Sequence, residues 1–215
     1  MKRLMYVSQL KKEHVTDFKS HLSLPQHALT LKDWLASQGI VTCSLYIYDR
    51  QLFLYMECLE LEFEFSWPPV FLDWLEWWPG EHELRKCVPM LDIFHDGYPI
   101  TLESWRGERV IEQRIGSLAR LKPEMYSSYV FYHFQGQEEM TQGFNKTYLI
   151  GAYENYIFSY QEHPAVVQEK AKRDPMKPSN SPPNWHEVMY PHFQLWEDTS
   201  EKEKLWRVME TVFSF

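Results

Sequence analysis

Two stretches of this chain, about a hundred residues apart, pass through the same landmarks in the same order. The first opens Leu10-Lys11-Lys12-Glu13 and the second Leu121-Lys122-Pro123-Glu124. An aromatic residue and a histidine follow in each: Phe18 with His21, then Tyr129 with His133. Each stretch continues with a glycine (Gly39, Gly143), an apolar hairpin, a Trp-bearing segment (Trp77-Trp78, then Trp185-His186) and a closing hydrophobic-Phe strand (Ile93-Phe94, Val212-Phe213). A period this long exceeds a solenoid unit, so it reads as a duplicated small domain, with modules at 1–100 and 108–215.

The local pattern gives each module the same elements. Met5–Leu10 reads as a strand. His14–Ala36 carries apolar residues at helical spacing, interrupted near Pro25, with Gly39 in the C-cap region. Val41–Tyr48 and Leu52–Met56 form a hairpin across Asp49-Arg50-Gln51. A short helix within Val70–Trp78 and a strand over Pro89–His95 complete a βαββαβ order, the ferredoxin-like arrangement. In the second module, Arg109–Leu121 reads as a strand and Pro123 opens a helix running to about Met140. Thr147–Ala152 and Tyr156–Gln161 pair as a hairpin. Pro164–Arg173 is expected to be a helix, and Leu205–Phe213 a closing strand. Asp96–Glu108 is the joint, and the proline-rich stretch 174–183 is expected to be a surface flap. The fold class is therefore α+β.

Composition sets limits on partners. The 215 residues carry a net charge of -8, which argues against a nucleic-acid partner. No stretch approaches the roughly 20 apolar residues of a membrane span, and no signal-peptide pattern opens the chain, so a cytoplasmic location is expected. Cys43, Cys58 and Cys87 lack metal-ligand spacing and read as buried thiols, with no metal site expected. His82, His95, His163 and His192 likewise show no zinc spacing. His27 falls nearly opposite His21 on an ideal helix, and Glu60, Glu62 and Glu64 alternate with apolar residues as the wet face of an extended segment. Aromatic residues make up 16% of the chain, enough for both a core and a stacking surface.

Tyr129 and His133 lie four apart on the expected helix and so share one of its faces. An imidazole is the side chain best suited to give and take a proton near neutral pH, and a phenol one turn away can orient it or hold a hydroxyl. Taken alone, such a pair is more often packing than chemistry.

With these landmarks the chain resembles the L-rhamnose mutarotase family, enzymes of about half this length that interconvert the α and β anomers of a sugar and form dimeric α/β barrels. The resemblance rests on Tyr129-x3-His133, on Trp77-Trp78 and Trp185-His186 late in each copy, and on Tyr148 as the nearest candidate for a strand tyrosine. The first copy departs from the pattern: Phe18 stands at the tyrosine position, His21 sits one place early, and Cys43 falls near the strand tyrosine. A one-residue displacement turns a helical side chain by about 100°.

The resemblance implies two ferredoxin-like modules forming a pseudo-dimeric α/β barrel within one chain. It implies His133 as the acid/base group with Tyr129 as its partner. Trp185, His186, Tyr148, His21, Trp77 and Trp78 are the implied sugar-binding residues. The partner would be a monosaccharide, L-rhamnose or another aldose such as L-arabinose, with no cofactor, since each step moves protons between oxygens. A homodimer of tandem modules also fits. Two arrangements stay open: one working pocket in the second copy, or two altered pockets. A non-catalytic sugar-binding or regulatory protein on the same barrel is the alternative function.

Overall fold

The computed structural model describes residues 1–60, 62–169 and 180–215, and its chain divides into two compact units. The first comprises Met1–Met90, Pro99–Glu108 and Met209–Phe215; the second comprises Leu91–Tyr98 and Arg109–Val208.

In the first unit, β1 (Lys2–Gln9) leads through a single 3-10 turn into α1 (Val15–Leu22) and α2 (Pro25–Ser37), followed by the hairpin β2 (Ile40–Tyr48) and β3 (Gln51–Cys58). Pro25 begins the second helix instead of continuing the first, since a proline has no N–H to give and suits a first turn. Gly39, at φ +80°, turns the chain out of α2 into β2 in a conformation that L side chains rarely adopt. The helix α3 (Pro69–Leu72) and the two-residue strand β4 (Val88–Pro89) follow.

The second unit repeats the plan. β5 (Leu91–His95) opens it, and α4 (Leu102–Arg106) belongs to the first unit. Thr101 starts α4 with a capping box, its hydroxyl accepting from Ser104 N while the Ser104 hydroxyl accepts from Thr101 N. Then come β6 (Gln113–Arg120), α5 (Tyr126–Glu139), β7 (Leu149–Tyr153), β8 (Tyr156–His163), α6 (Trp185–Met189), β9 (Arg207–Val208) and β10 (Glu210–Ser214).

Both sheets are antiparallel and five-stranded, in the orders β10-β2-β3-β1-β4 and β5-β7-β8-β6-β9. The last four strands in each order have the ferredoxin-like arrangement, and the fifth comes from the other half of the sequence. The expected strand over Pro89–His95 is therefore two strands in two sheets: Val88 and Pro89 pair with β1, while Leu91–His95 pairs with β7. Each sheet ends in two edge strands, so neither closes into a barrel by itself.

Residues 164–169 of the expected helix are not helical. The bond from Lys146 N to the Val166 carbonyl and the bridge between Gln142 and Glu169 hold this stretch against the 142–146 loop. The rest of that expected helix, and the flap over 174–179, lie outside the described residues.

Each unit buries its own core. Phe18, Leu22, Leu35, Leu45, Met56, Trp67 and Phe71 pack in the first; Ile93, Phe94, Leu121, Tyr129, Ile157 and Phe193 pack in the second. At about 1.5–3 kcal/mol for each fully buried large side chain, these two clusters are the main stabilising terms. No helix of the described residues is long and apolar enough to cross a membrane.

Each core also holds a charged group. Glu57 of β3 is completely buried and accepts from the Tyr55 hydroxyl at 2.6 Å, Trp105 Nε1 at 2.9 Å and Arg106 Nε at 2.7 Å. Glu162 of β8, equally buried, accepts from the Tyr160 hydroxyl at 2.7 Å and from Arg109 at 3.0 Å. Arg106 lies in the joint between the modules and Arg109 just past its end, so the chain on either side of this boundary is tied into each core by a charge-assisted bond.

Candidate active site

The helix α5 begins where the backbone leaves β6 at Leu121, which bridges Phe193 and takes its N–H bond to the Asn155 carbonyl. Tyr129 and His133 are the fourth and eighth residues of α5, and both turn inward. Their rings stack at 4.0 Å with an interplanar angle of 29°. His133 Nδ1 lies 2.8 Å from the Tyr129 carbonyl oxygen. A carbonyl can only accept, so Nδ1 carries the hydrogen and Nε2 is left with its lone pair.

His133 lines a cavity of about 800 Å3 within the second unit. Its other walls include Phe94 of β5, Gly136 and Glu139 from the same helix, Met140 just past its end, Phe144, Tyr148 and Ile150 before and in β7, Gln161 of β8, and Ser181, Trp185 and His186. The Trp185 ring meets His133 edge to face at 5.1 Å and lies over Gly136, where an added Cβ would sit 3.4 Å from the indole. A glycine inside a helix weakens it. Here it clears the space the indole occupies.

Burial sets the protonation states. It pushes His133 down to about 4, with His192 adding to the fall and the bond to the Tyr129 carbonyl opposing it. Burial also raises Tyr129 well above the usual phenol value and raises Tyr148 to about 12, the latter partly offset by a hydrogen bond to Ser159. At neutral pH the cavity thus presents the neutral His133 imidazole and the neutral Tyr148 phenol, with the neutral Tyr129 stacked behind the imidazole.

Of the residues singled out in the sequence, the structure gathers Tyr129, His133, Tyr148, Trp185 and His186 in or against this cavity. His21, Trp77 and Trp78 belong to the first unit. His21 does not stand opposite His27: the helix breaks at Ser23-Leu24, and the two imidazoles stack at 3.8 Å. Trp77 is exposed and carries Lys86 over its ring at 3.6 Å, while Trp78 bridges Arg85.

The backbone aligns the two units differently from the sequence motifs. The eighth residue of α1 is Leu22, and this position, not that of His21, corresponds to His133. Trp67 lies eight residues before Leu75, the bridge partner of Leu10, as Trp185 lies eight before Phe193, the bridge partner of Leu121. By register, Cys43 opposes Met56 as Tyr148 opposes Gln161 one step beyond the Leu149–Tyr160 pair. Phe18, Leu22, Cys43, Met56 and Trp67 are all buried in one apolar cluster, so the first unit is filled where the second is hollow.

Residues 114–215 match the family model for L-rhamnose mutarotase. That span is just under half of the chain, and it contains every cavity residue named above except Phe94. No curated protein matches the chain. Among solved structures, it is similar to a protein from Lactobacillus acidophilus described provisionally as a monooxygenase, with 6% identity, 100% of this chain and 96% of that chain covered, and a TM-score of 0.37. A protein of like description from Fusobacterium nucleatum shows 10% identity, 99% and 92% coverage and a TM-score of 0.37. An anthrone oxidase-like protein gives 10% identity over the same shares, with a TM-score of 0.36. Likenesses this weak carry no chemistry from those proteins to this one.

The motifs did not reveal Phe94, Glu139, Phe144, Gln161 or Ser181. The spacing of His133, Gly136 and Met140 (i, i+3, i+7) is the one signal that would have extended the cavity along the helix. Among the described residues, no group of three or more His, Cys, Asp or Glu is placed to hold a metal ion.

Proposed function

We propose that the chain is an aldose mutarotase built from two diverged copies of one module, spanning 1–100 and 108–215, with its working pocket in the second unit. The observation that carries this reading is His133: a buried, neutral imidazole whose Nδ1 hydrogen is committed to a backbone carbonyl, lining a cavity whose walls, apart from Phe94, come from the segment that matches the mutarotase family.

The chemistry needs one proton relay. His133 Nε2 takes the proton from the anomeric hydroxyl, the bond from the anomeric carbon to the ring oxygen breaks, and its electron pair goes to that oxygen, which is protonated. The anomeric carbon becomes an aldehyde. Rotation about the adjacent carbon–carbon bond presents its other face, and closure reverses the transfers. Protons in and out balance, and a base with a pKa near 4 releases its proton readily to the ring oxygen. Trp185 offers an indole for the C–H face of the sugar, while Tyr148 and His186 offer groups for its hydroxyls.

The first unit reads as the copy that lost the site, since phenylalanine, leucine, cysteine and methionine stand where the second has tyrosine, histidine, tyrosine and glutamine. Pairing of the two modules into an α/β barrel, a further homodimer, and a cytoplasmic location belong to the same proposal. The substrate is a monosaccharide, L-rhamnose or another aldose such as L-arabinose. Saturation-exchange NMR of anomeric protons across a panel of aldoses tests it. Exchange faster than the buffer rate for at least one sugar supports the enzyme. Sugar-induced shifts without faster exchange would favour the non-catalytic binding protein.

A further inference from the structure

Glu139 closes α5 at its C-terminal end, where a helix dipole disfavours a negative charge. Its carboxylate is nevertheless directed to two successive backbone donors: Asn180 N meets Oε1 at 2.8 Å and Ser181 N meets Oε2 at 2.8 Å. Gln135, one turn back, donates weakly to Oε1 at 3.4 Å. Hydrogen bonds to an ionised acceptor are about twice as strong as neutral ones, so this pair fixes the backbone at Asn180-Ser181 firmly. Four residues later the same backbone delivers Trp185 onto Gly136 and edge-on to His133, and His186 into the cavity wall. Glu139 itself lines the cavity.

We propose that Glu139 is a positioning residue, tying the 180–186 backbone to the end of α5 so that Trp185 is held at a fixed angle to His133 and forms the sugar platform. This rests on the mutarotase reading of the cavity, which it deepens. An amide at this position keeps one acceptor oxygen but turns an N–H2 toward a backbone N–H, so glutamine breaks half of the tie with little change in size. The role is distinct from acid/base chemistry, because Trp185 contributes to binding and His133 retains its own bond to the Tyr129 carbonyl.

The experiment compares the full-length protein with Glu139→Gln, Glu139→Ala and the exposed neighbour Glu138→Gln. Without sugar, two-dimensional NMR follows the Ser181 amide, the Trp185 indole N–H and the His133 ring protons, which sense the Trp185 ring current. Both Glu139 variants are expected to shift all three, while Glu138→Gln leaves them at wild-type positions. With sugar, KM for anomer exchange is expected to rise about tenfold with kcat changed less than about threefold, the signature of lost binding and not of lost chemistry. Wild-type positions for the indole and His133 resonances in Glu139→Gln would overturn the proposal. So would a fall in kcat at unchanged KM, which would put Glu139 in the proton transfer itself. If the wild-type protein shows no exchange, the mutarotase reading fails, and the resonances still decide the tie.

Discussion

Tyr129 and His133 are joined twice, ring against ring at 4.0 Å and Nδ1–H to carbonyl at 2.8 Å. The hydrogen bond fixes the tautomer, and the stacking keeps water from one face of the imidazole. Burial is what keeps the imidazole neutral, and it outweighs the opposing pull of that hydrogen bond.

That environment has a pH signature. The pKa of His133 is about 4 in the folded chain, against about 6.5 for an unperturbed histidine. Between these values the unfolded chain binds more protons than the folded one, so stability increases with pH across that window. It is complete above about pH 6.5 and is lost as pH falls through 4, by roughly 3 kcal/mol in all. Denaturant titrations from pH 4 to 7 are expected to show this slope in the wild type and to lose most of it in His133→Asn. An equal slope in both would place the titrating group elsewhere.

The buried carboxylates should be costly to disturb. Arg106→Ala removes the guanidinium bonded to the fully buried Glu57, and Arg109→Ala removes the one bonded to Glu162. A loss of about 3–5 kcal/mol is expected for Arg106→Ala. Arg114 lies 3.8 Å from Glu162, so Arg109→Ala should cost less. Chemical denaturation of the two variants measures the difference, and near-wild-type stability in both would show the linker ties to be unimportant.

At Gly136 the indole of Trp185 leaves room for little more than a methyl group. Gly136→Leu is expected to push Trp185 off its seat and weaken sugar binding, whereas Gly136→Ala should bind nearly as well as wild type. Trp185→Ala should weaken binding more than it lowers stability, because the ring is only half-buried. A large drop in melting temperature with unchanged sugar affinity would make Trp185 a structural residue.

Much of this was legible in the sequence because local rules were left undisturbed. Alternation and turn residues located the hairpins β2–β3 and β7–β8, with Asp49 and Glu154 taking the positive φ of their turns. The spacing of Tyr129 and His133 put both on one inward face. Four features were not legible. The exchange of β5 and β10 between sheets depends on which edge each strand meets, which no local pattern encodes. Leu22 was hidden by His21, whose polar side chain drew attention one position too early; only the backbone count from Leu10 identifies the true counterpart of His133. The run Trp77-Trp78 looked like Trp185-His186, but it falls after the Leu10–Leu75 bridge, whereas Trp67 falls before it. Glu139, finally, gains its role from Asn180 and Ser181, some forty residues away in sequence.

The strand exchange has its own consequence. Phe94, on β5, is a wall of the cavity yet lies outside the segment 109–215. A fragment beginning at Arg109 is expected to lose sugar binding, and one beginning at Leu91 to retain more of it. Titration of both fragments by sugar-observed NMR checks this, and equal affinity in the two would show that Phe94 and its strand are dispensable.

The most direct measurement is the rate of exchange between the α and β anomeric proton signals of an aldose, with wild-type protein and with His133→Asn at equal concentration. Wild type is expected to accelerate exchange, and His133→Asn to lose about 10²–10⁴-fold of that acceleration while keeping its fold and its sugar-induced shifts. Undiminished exchange in His133→Asn, from a protein otherwise like wild type, would contradict the assignment of His133 as the base.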